Sequence, residues 1–123
     1  MTPQSAERRV LIILWLAMAA SIAMYFVVIQ MVQPTSAHEN PALVNALLVA
    51  AAGMVGASFL VKSRIRAAQG ERTALLIALA LCEAAALCGL VVWFVTAWPY
   101  YYVFLLLGLA GQVLHFPGGR DPS

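Results

Sequence analysis

Charge is what this chain has least of. Of its 123 residues only 10% are Asp, Glu, Lys or Arg, against 63% hydrophobic, and the mean hydropathy is +0.90. Soluble domains usually carry about 25% charged residues, so an ordinary water-soluble fold is excluded. No Lys or Arg occurs between Val10 and Val61, nor between Thr73 and Gly119. That leaves no basic surface of the kind that binds nucleic acid. Cysteine is nearly absent too. Cys82 and Cys88 stand six residues apart in one apolar run, about 9 Å along a helix axis. A disulfide tolerates Cα separations of roughly 4.4–6.8 Å, so these two read as small buried hydrophobes. The two histidines, His38 and His115, fall at opposite ends of different apolar segments and build no metal site. Cys-x-x-Cys pairs, nucleophile elbows, phosphate loops and metal-binding helix motifs are missing. Neither enzymatic activity nor a cofactor or metal is therefore expected. Met18, Met24, Met31 and Met54 are scattered along the chain, which suits packing rather than copper binding.

What remains is four long apolar stretches, at approximately residues 10–32, 42–61, 73–97 and 100–116. A helix needs about 17–25 apolar residues to cross a hydrocarbon core. Strands spanning a membrane would alternate apolar with polar residues, and these segments do not. The expected fold is all-α: a polytopic membrane protein with four transmembrane helices in a single domain covering residues 1–123. Residues 1–7 and 117–123 are expected to be flexible tails. With alternating helices, all seven basic residues fall on one side: Arg8, Arg9, Lys62, Arg64, Arg66, Arg72 and Arg120. The positive-inside rule then makes both termini cytoplasmic, and the expected address is a bacterial inner membrane. The first stretch exceeds the 7–15 residues of a signal-peptide core. Retention as an anchor is expected, although Thr35-Ser36-Ala37 would make a tolerable cleavage site.

Local signals place the helix ends. Asn40-Pro41 is a side-chain cap followed by proline at the first helical position. Pro99 separates the third stretch from the fourth, and Trp93, Trp98 and Tyr100–Tyr102 cluster there as an interfacial aromatic belt. Ala46, Ala50, Gly53 and Ala57 share one face of the second helix, and Ala78, Cys82, Ala85 and Gly89 one face of the third. Small residues let helix backbones approach where the hydrophobic effect cannot drive association. These two faces are expected to pack in an antiparallel hairpin around a short basic connection, Lys62–Arg72. Asn45 and Gln112 are mild polar features expected to tie helices together.

Glu83 is the exception to the apolar pattern. It sits near the centre of Thr73–Trp98 with no other charged residue in that run. A carboxylate at mid-membrane costs about 2.5–3.5 kcal/mol on insertion scales, and such residues face protein and are functional by default. Folding the hairpin at about Ala68 brings Gly53 level with Glu83, leaving space for the carboxyl group. Ser21 on the first helix lies at comparable depth and is a candidate hydrogen-bond donor. Glu83, Ser21 and Gly53 thus form a candidate ion-binding set. The bland alternative is a neutral carboxyl that locks helix packing.

The segment Ala78-Leu79-Ala80-Leu81-Cys82-Glu83-Ala84-Ala85-Ala86-Leu87-Cys88-Gly89-Leu90-Val91-Val92 resembles the carboxylate-bearing helix of the rotary ATPase proteolipid (c or K) subunits. In that family a glutamate is followed six residues later by Gly and then Leu-Val, after a Gly/Ala-rich helix and a cytoplasmic polar loop. Ala50–Ala57 and Lys62–Arg72 fit this outline, so the resemblance covers about residues 42–96. It implies that Glu83 matches the ion-binding carboxylate. The loop Arg66-Ala67-Ala68-Gln69-Gly70 lacks the family's Arg-Gln/Asn-Pro pattern, and two further spans flank the hairpin. The resemblance therefore bears on the hairpin of residues 42–96 rather than on a rotor ring.

Two functions follow as expectations. The first is a non-enzymatic accessory or scaffold subunit with Glu83 as a buried polar packing residue. Its partners would be the lipid bilayer and a homo-oligomer or larger membrane complex. The second is a proton- or ion-handling protein in which Glu83 is the protonatable group.

Overall fold

Asn40 accepts a hydrogen bond from the Leu43 amide at 3.1 Å, and Pro41 follows at the first helical position, so a helix begins there. The same chemistry of caps and breaks divides the computed structural model, which describes residues 3–34 and 38–116, into four helices. They are α1 Pro3–Met31, α2 Pro41–Gln69, α3 Glu71–Thr96 and α4 Tyr102–Leu114. Three segments are long and apolar enough to cross a membrane: Ser5–Met31, Pro41–Gln69 and Glu71–Thr96. The fourth is not. With 13 residues, α4 is about 20 Å long, against a hydrocarbon core of about 30 Å.

Two boundaries differ from expectation. The basic segment from Lys62 to Gln69 is helix, because Lys, Arg, Ala and Gln are good helix formers. Only Gly70 interrupts the hairpin; its φ of 94° is a conformation that residues with a Cβ rarely adopt. Its N–H caps the Arg66 carbonyl, and its own carbonyl accepts from Ala74. At the N-terminus α1 begins at Pro3, so part of the expected tail is helical. The expected C-terminal tail (117–123), with Arg120, and the possible cleavage site at 35–37 lie outside the described residues.

α3 is the axis of the bundle. It packs against α1, α2 and α4, and α4 also touches α1 and α2, whereas α1 and α2 do not meet. Ion pairs from Arg72 to Glu7 (2.9 Å) and from Arg66 to Glu71 (3.4 Å) gather one end of the bundle. Trp93, Trp98 and Tyr100–Tyr102 gather the other. There Ala97, in the left-handed conformation (φ 53°), ends α3, and the incoming strand of loop crosses over it, His38 N–H donating to the Val95 carbonyl.

Glycine permits a close approach between α3 and α4. A Cβ at Gly108 would lie 2.7 Å from the Cys82 carbonyl oxygen; one at Gly89 would lie 2.7 Å from Phe104 Cβ. On α3, Ala78, Cys82, Ala85 and Gly89 are all buried. The small face expected to pack on α2 does not. Ala46, Ala50 and Gly53 are exposed and Ala57 half-exposed, and Gly53 has no atom within 4 Å of a built Cβ. The helix turns inward Val44, Ala51, Val55 and Ser58 instead. In a helix apolar on every side, the small residues are not thereby the inner ones. Outward-facing apolar bulk is general, with Met31 78%, Val49 74% and Leu114 70% exposed, which suits a lipid surround rather than water.

Candidate functional site

Glu83 lies at the middle of α3, half-buried, on the side that α1 covers. Its Oε1 accepts a hydrogen bond of 2.5 Å from the phenol hydroxyl of Tyr25. Around the pair, Ile22 and Ile29 of α1 pack with Ala86 and Leu105, and Tyr25 and Leu90 lie against them. The polar contact therefore has apolar neighbours on α1, α3 and α4.

The three candidate ion-binding residues are not brought together. Ser21 turns its hydroxyl back to the Ala17 carbonyl at 3.3 Å, the usual choice of a short side chain on a helix. Tyr25 stands one turn further along the same face, and its long ring spans the interhelix gap that Ser21 cannot. Gly53 is displaced because the hairpin folds at Gly70, not Ala68. Ser58 and Cys82, equidistant from that turn, meet at 3.8 Å, so Ala57 rather than Gly53 is level with Glu83. The signal for Tyr25 was available: a tyrosine four residues beyond Ser21, on the helix that must cover Glu83.

A second polar cluster lies toward the basic end, and sequence reasoning missed most of it. His115, just past α4, is 1% exposed, stacks on Phe59 (ring centroids 4.2 Å apart) and places Nε2 2.8 Å from Ser58 Oγ. The Ser58 hydroxyl donates to the Val55 carbonyl at 2.5 Å, and the Cys82 thiol donates to Ser58 Oγ. Which partner donates in the Ser58–His115 contact follows from the imidazole tautomer. Ser58 is 0% exposed and meets Val55, Cys82 and His115 in one buried knot. Beside it, Trp15 Nε1 donates to the Gln112 carbonyl at 2.6 Å, and Gln112 Nε2 donates to the Trp15 carbonyl at 2.9 Å. This reciprocal pair joins α1 to α4. Gln112 Oε1 is buried without a partner. Of the cysteines, Cys82 is buried and Cys88 half-buried. Among the described residues no three His, Cys, Asp or Glu side chains converge as metal ligands would.

Chemically, the Tyr25–Glu83 pair can do two things: hold α1 against α3, and keep one protonatable oxygen pair at the midpoint of a long apolar helix. Compared with known proteins, the chain matches no family model, no curated protein and no solved structure.

Proposed function

We propose that the chain is a small integral membrane protein without catalytic machinery, an accessory or scaffold subunit, in which the Tyr25–Glu83 bond pins α1 to α3. The observation that carries this reading is the short phenol–carboxyl contact among apolar neighbours. α1 is also tied to α4 by the Trp15–Gln112 pair, to Tyr101 by Gln30 and to Arg72 by Glu7, and the Tyr25–Glu83 bond is the polar tie that reaches the middle of α3. Four membrane segments, three full-length and the fourth the short α4, with both termini cytoplasmic in a bacterial inner membrane, complete the proposal. It is supported by basic residues gathered at one end and aromatic residues at the other. The small residues turned outward on α2 are where such a subunit would receive a neighbouring helix, from a second copy or a larger complex.

A rival reading keeps the same pair and makes Glu83 a proton carrier, as the proteolipid-like helix suggests. The protonatable carboxyl at the middle of α3, not wholly buried, supports it. Glu83→Gln separates the two. The amide oxygen still accepts from Tyr25 but cannot cycle a proton. A pin predicts wild-type helix packing and partner recovery from mild detergent. A carrier predicts loss of proton flux in liposomes, and labelling of Glu83 in the wild type by a lipid-soluble carbodiimide. Flux that is present in wild type and abolished in Glu83→Gln would replace the scaffold reading by the rival.

A further inference from the structure

The end of the bundle away from the arginines contains a cleft of about 340 Å³, lined by Glu39, Asn40, Val44, Asn45, Thr96 and Trp98 with the prolines at its margins. It exists because three chain features converge. α2 starts at the Asn40 cap, α3 stops at Thr96, and Pro99 together with left-handed Ala97 turns the chain away before α4. Its size lies at the lower end of the range for small-molecule pockets, about 300–1,000 Å³. It would take a headgroup or a small amine rather than a large ligand.

The polar groups in the cleft are not equivalent. Asn40 spends its side-chain oxygen on the Leu43 amide. Thr96 donates to the Val92 carbonyl and accepts from the Trp98 amide. Both are committed to the protein's own turns. What remains to meet a ligand is the Glu39 carboxylate, the Asn45 amide and the part of the half-buried Trp98 indole not packed on Tyr100 and Phe104. The N-terminus of α2 and the C-terminus of α3 bring opposing partial charges of similar size to the same place. They largely cancel, which leaves the full charge of Glu39 to set the sign. Among the described residues this end has no Lys or Arg, and Glu39 makes no ion pair. A carboxylate without a counter-charge beside an aromatic face is the combination that recognises organic cations, through Coulomb attraction and cation–π contact.

We propose that this cleft binds an organic ammonium group, held by the Glu39 carboxylate against the indole of Trp98. The ammonium is either the headgroup of an amine-bearing lipid or a free amine on that side of the membrane. The site is independent of the Tyr25–Glu83 pair.

The test uses the full chain in nanodiscs of phosphatidylglycerol, which has no amine, titrated calorimetrically with choline chloride against a sodium chloride blank. Saturable binding is expected, weakened at least tenfold in Glu39→Gln. Glu39 is exposed and outside the helices, so this variant keeps the wild-type melting temperature, which is measured alongside. A second arm uses discs of mixed phosphatidylethanolamine and phosphatidylglycerol, with retained lipids counted by native mass spectrometry. Selective retention of phosphatidylethanolamine that is lost in Glu39→Gln assigns the site to a lipid headgroup. Undiminished choline binding in mixed discs assigns it to a free amine. Absence of both saturable choline binding and selective retention overturns the proposal. So does either effect if Glu39→Gln leaves it unchanged.

Discussion

Replacing Gly108 by Ala places a methyl group where α3 has no room for it. The new Cβ would stand 2.7 Å from the Cys82 carbonyl oxygen, 3.0 Å from Ala86 Cβ and 3.2 Å from the Ala86 nitrogen. Two of these three atoms are backbone, so no rotamer change relieves the clash and α4 must move away from α3. Overpacking of this kind costs about 1–3 kcal/mol. Against it stands the gain in helix propensity on replacing Gly with Ala, up to about 1 kcal/mol. Gly53→Ala makes the same chemical change on an open face with nothing within 4 Å, so it carries only that gain. The difference between the two variants isolates the packing term. Gly108→Ala should be less stable than Gly53→Ala by about 1–3 kcal/mol. SDS titration from dodecyl maltoside micelles measures this, followed by tryptophan fluorescence, because helices persist in SDS while their packing does not. Equal midpoints for the two variants would refute the close α3–α4 approach.

Gln112→Met gives up the bond to the Trp15 carbonyl, worth about 0.6 kcal/mol on average between membrane helices. It also removes a buried acceptor without a partner, whose burial costs about 1–3 kcal/mol. The variant should be neutral or more stable by about 1 kcal/mol in the same titration; a clear loss of stability would contradict the hydrogen-bond assignment. Maleimide in mild detergent should modify half-buried Cys88 much faster than buried Cys82, with both reacting in SDS. Comparable rates in the native protein would place Cys82 outside the packed seam. Gly53→Leu should not lower monomer stability and should raise it by up to about 1 kcal/mol, since the side chain enters open space and Leu is a better helix former than Gly. It should nevertheless abolish self-association or partner recovery in mild detergent, and intact recovery would remove α2's outer face from the proposed interface.

Element ends were readable because breaking a helix takes particular residues. Asn40-Pro41 and Pro99 mark boundaries through capping and the missing amide proton, whatever surrounds them. Faces were not readable. In α2 every side is apolar, so outward-facing Ala46, Ala50 and Gly53 resemble packing residues as closely as inward-facing Ala51 does. Water would have marked the outer face with charge, but a lipid surround does not. The same lack of contrast hid where the hairpin turns. Treating Lys62–Arg72 as a connection put its midpoint near Ala68, and the resulting shift in level paired Glu83 with Gly53. The importance of Glu83 was plain from its isolation, whereas its partner depended on side-chain reach, which depth counting ignores. Ser21 and Tyr25 share a face, and only the longer side chain crosses to α3. The Ser58–His115 contact joins residues far apart in sequence through α4, whose glycines set how deeply it seats. No local pattern announces that.

The most direct test of the interhelical pin is a double-mutant cycle on Tyr25→Phe and Glu83→Met. Each single change leaves the other polar group without its partner among apolar neighbours, and the double change removes both. Measured by SDS titration, the two residues should be coupled by about 0.5–2 kcal/mol, the range for hydrogen bonds between membrane helices and to carboxylates. Additive effects, with no coupling beyond error, would contradict a bond between Tyr25 and Glu83 and remove the basis for reading that carboxyl as the residue that fixes α1.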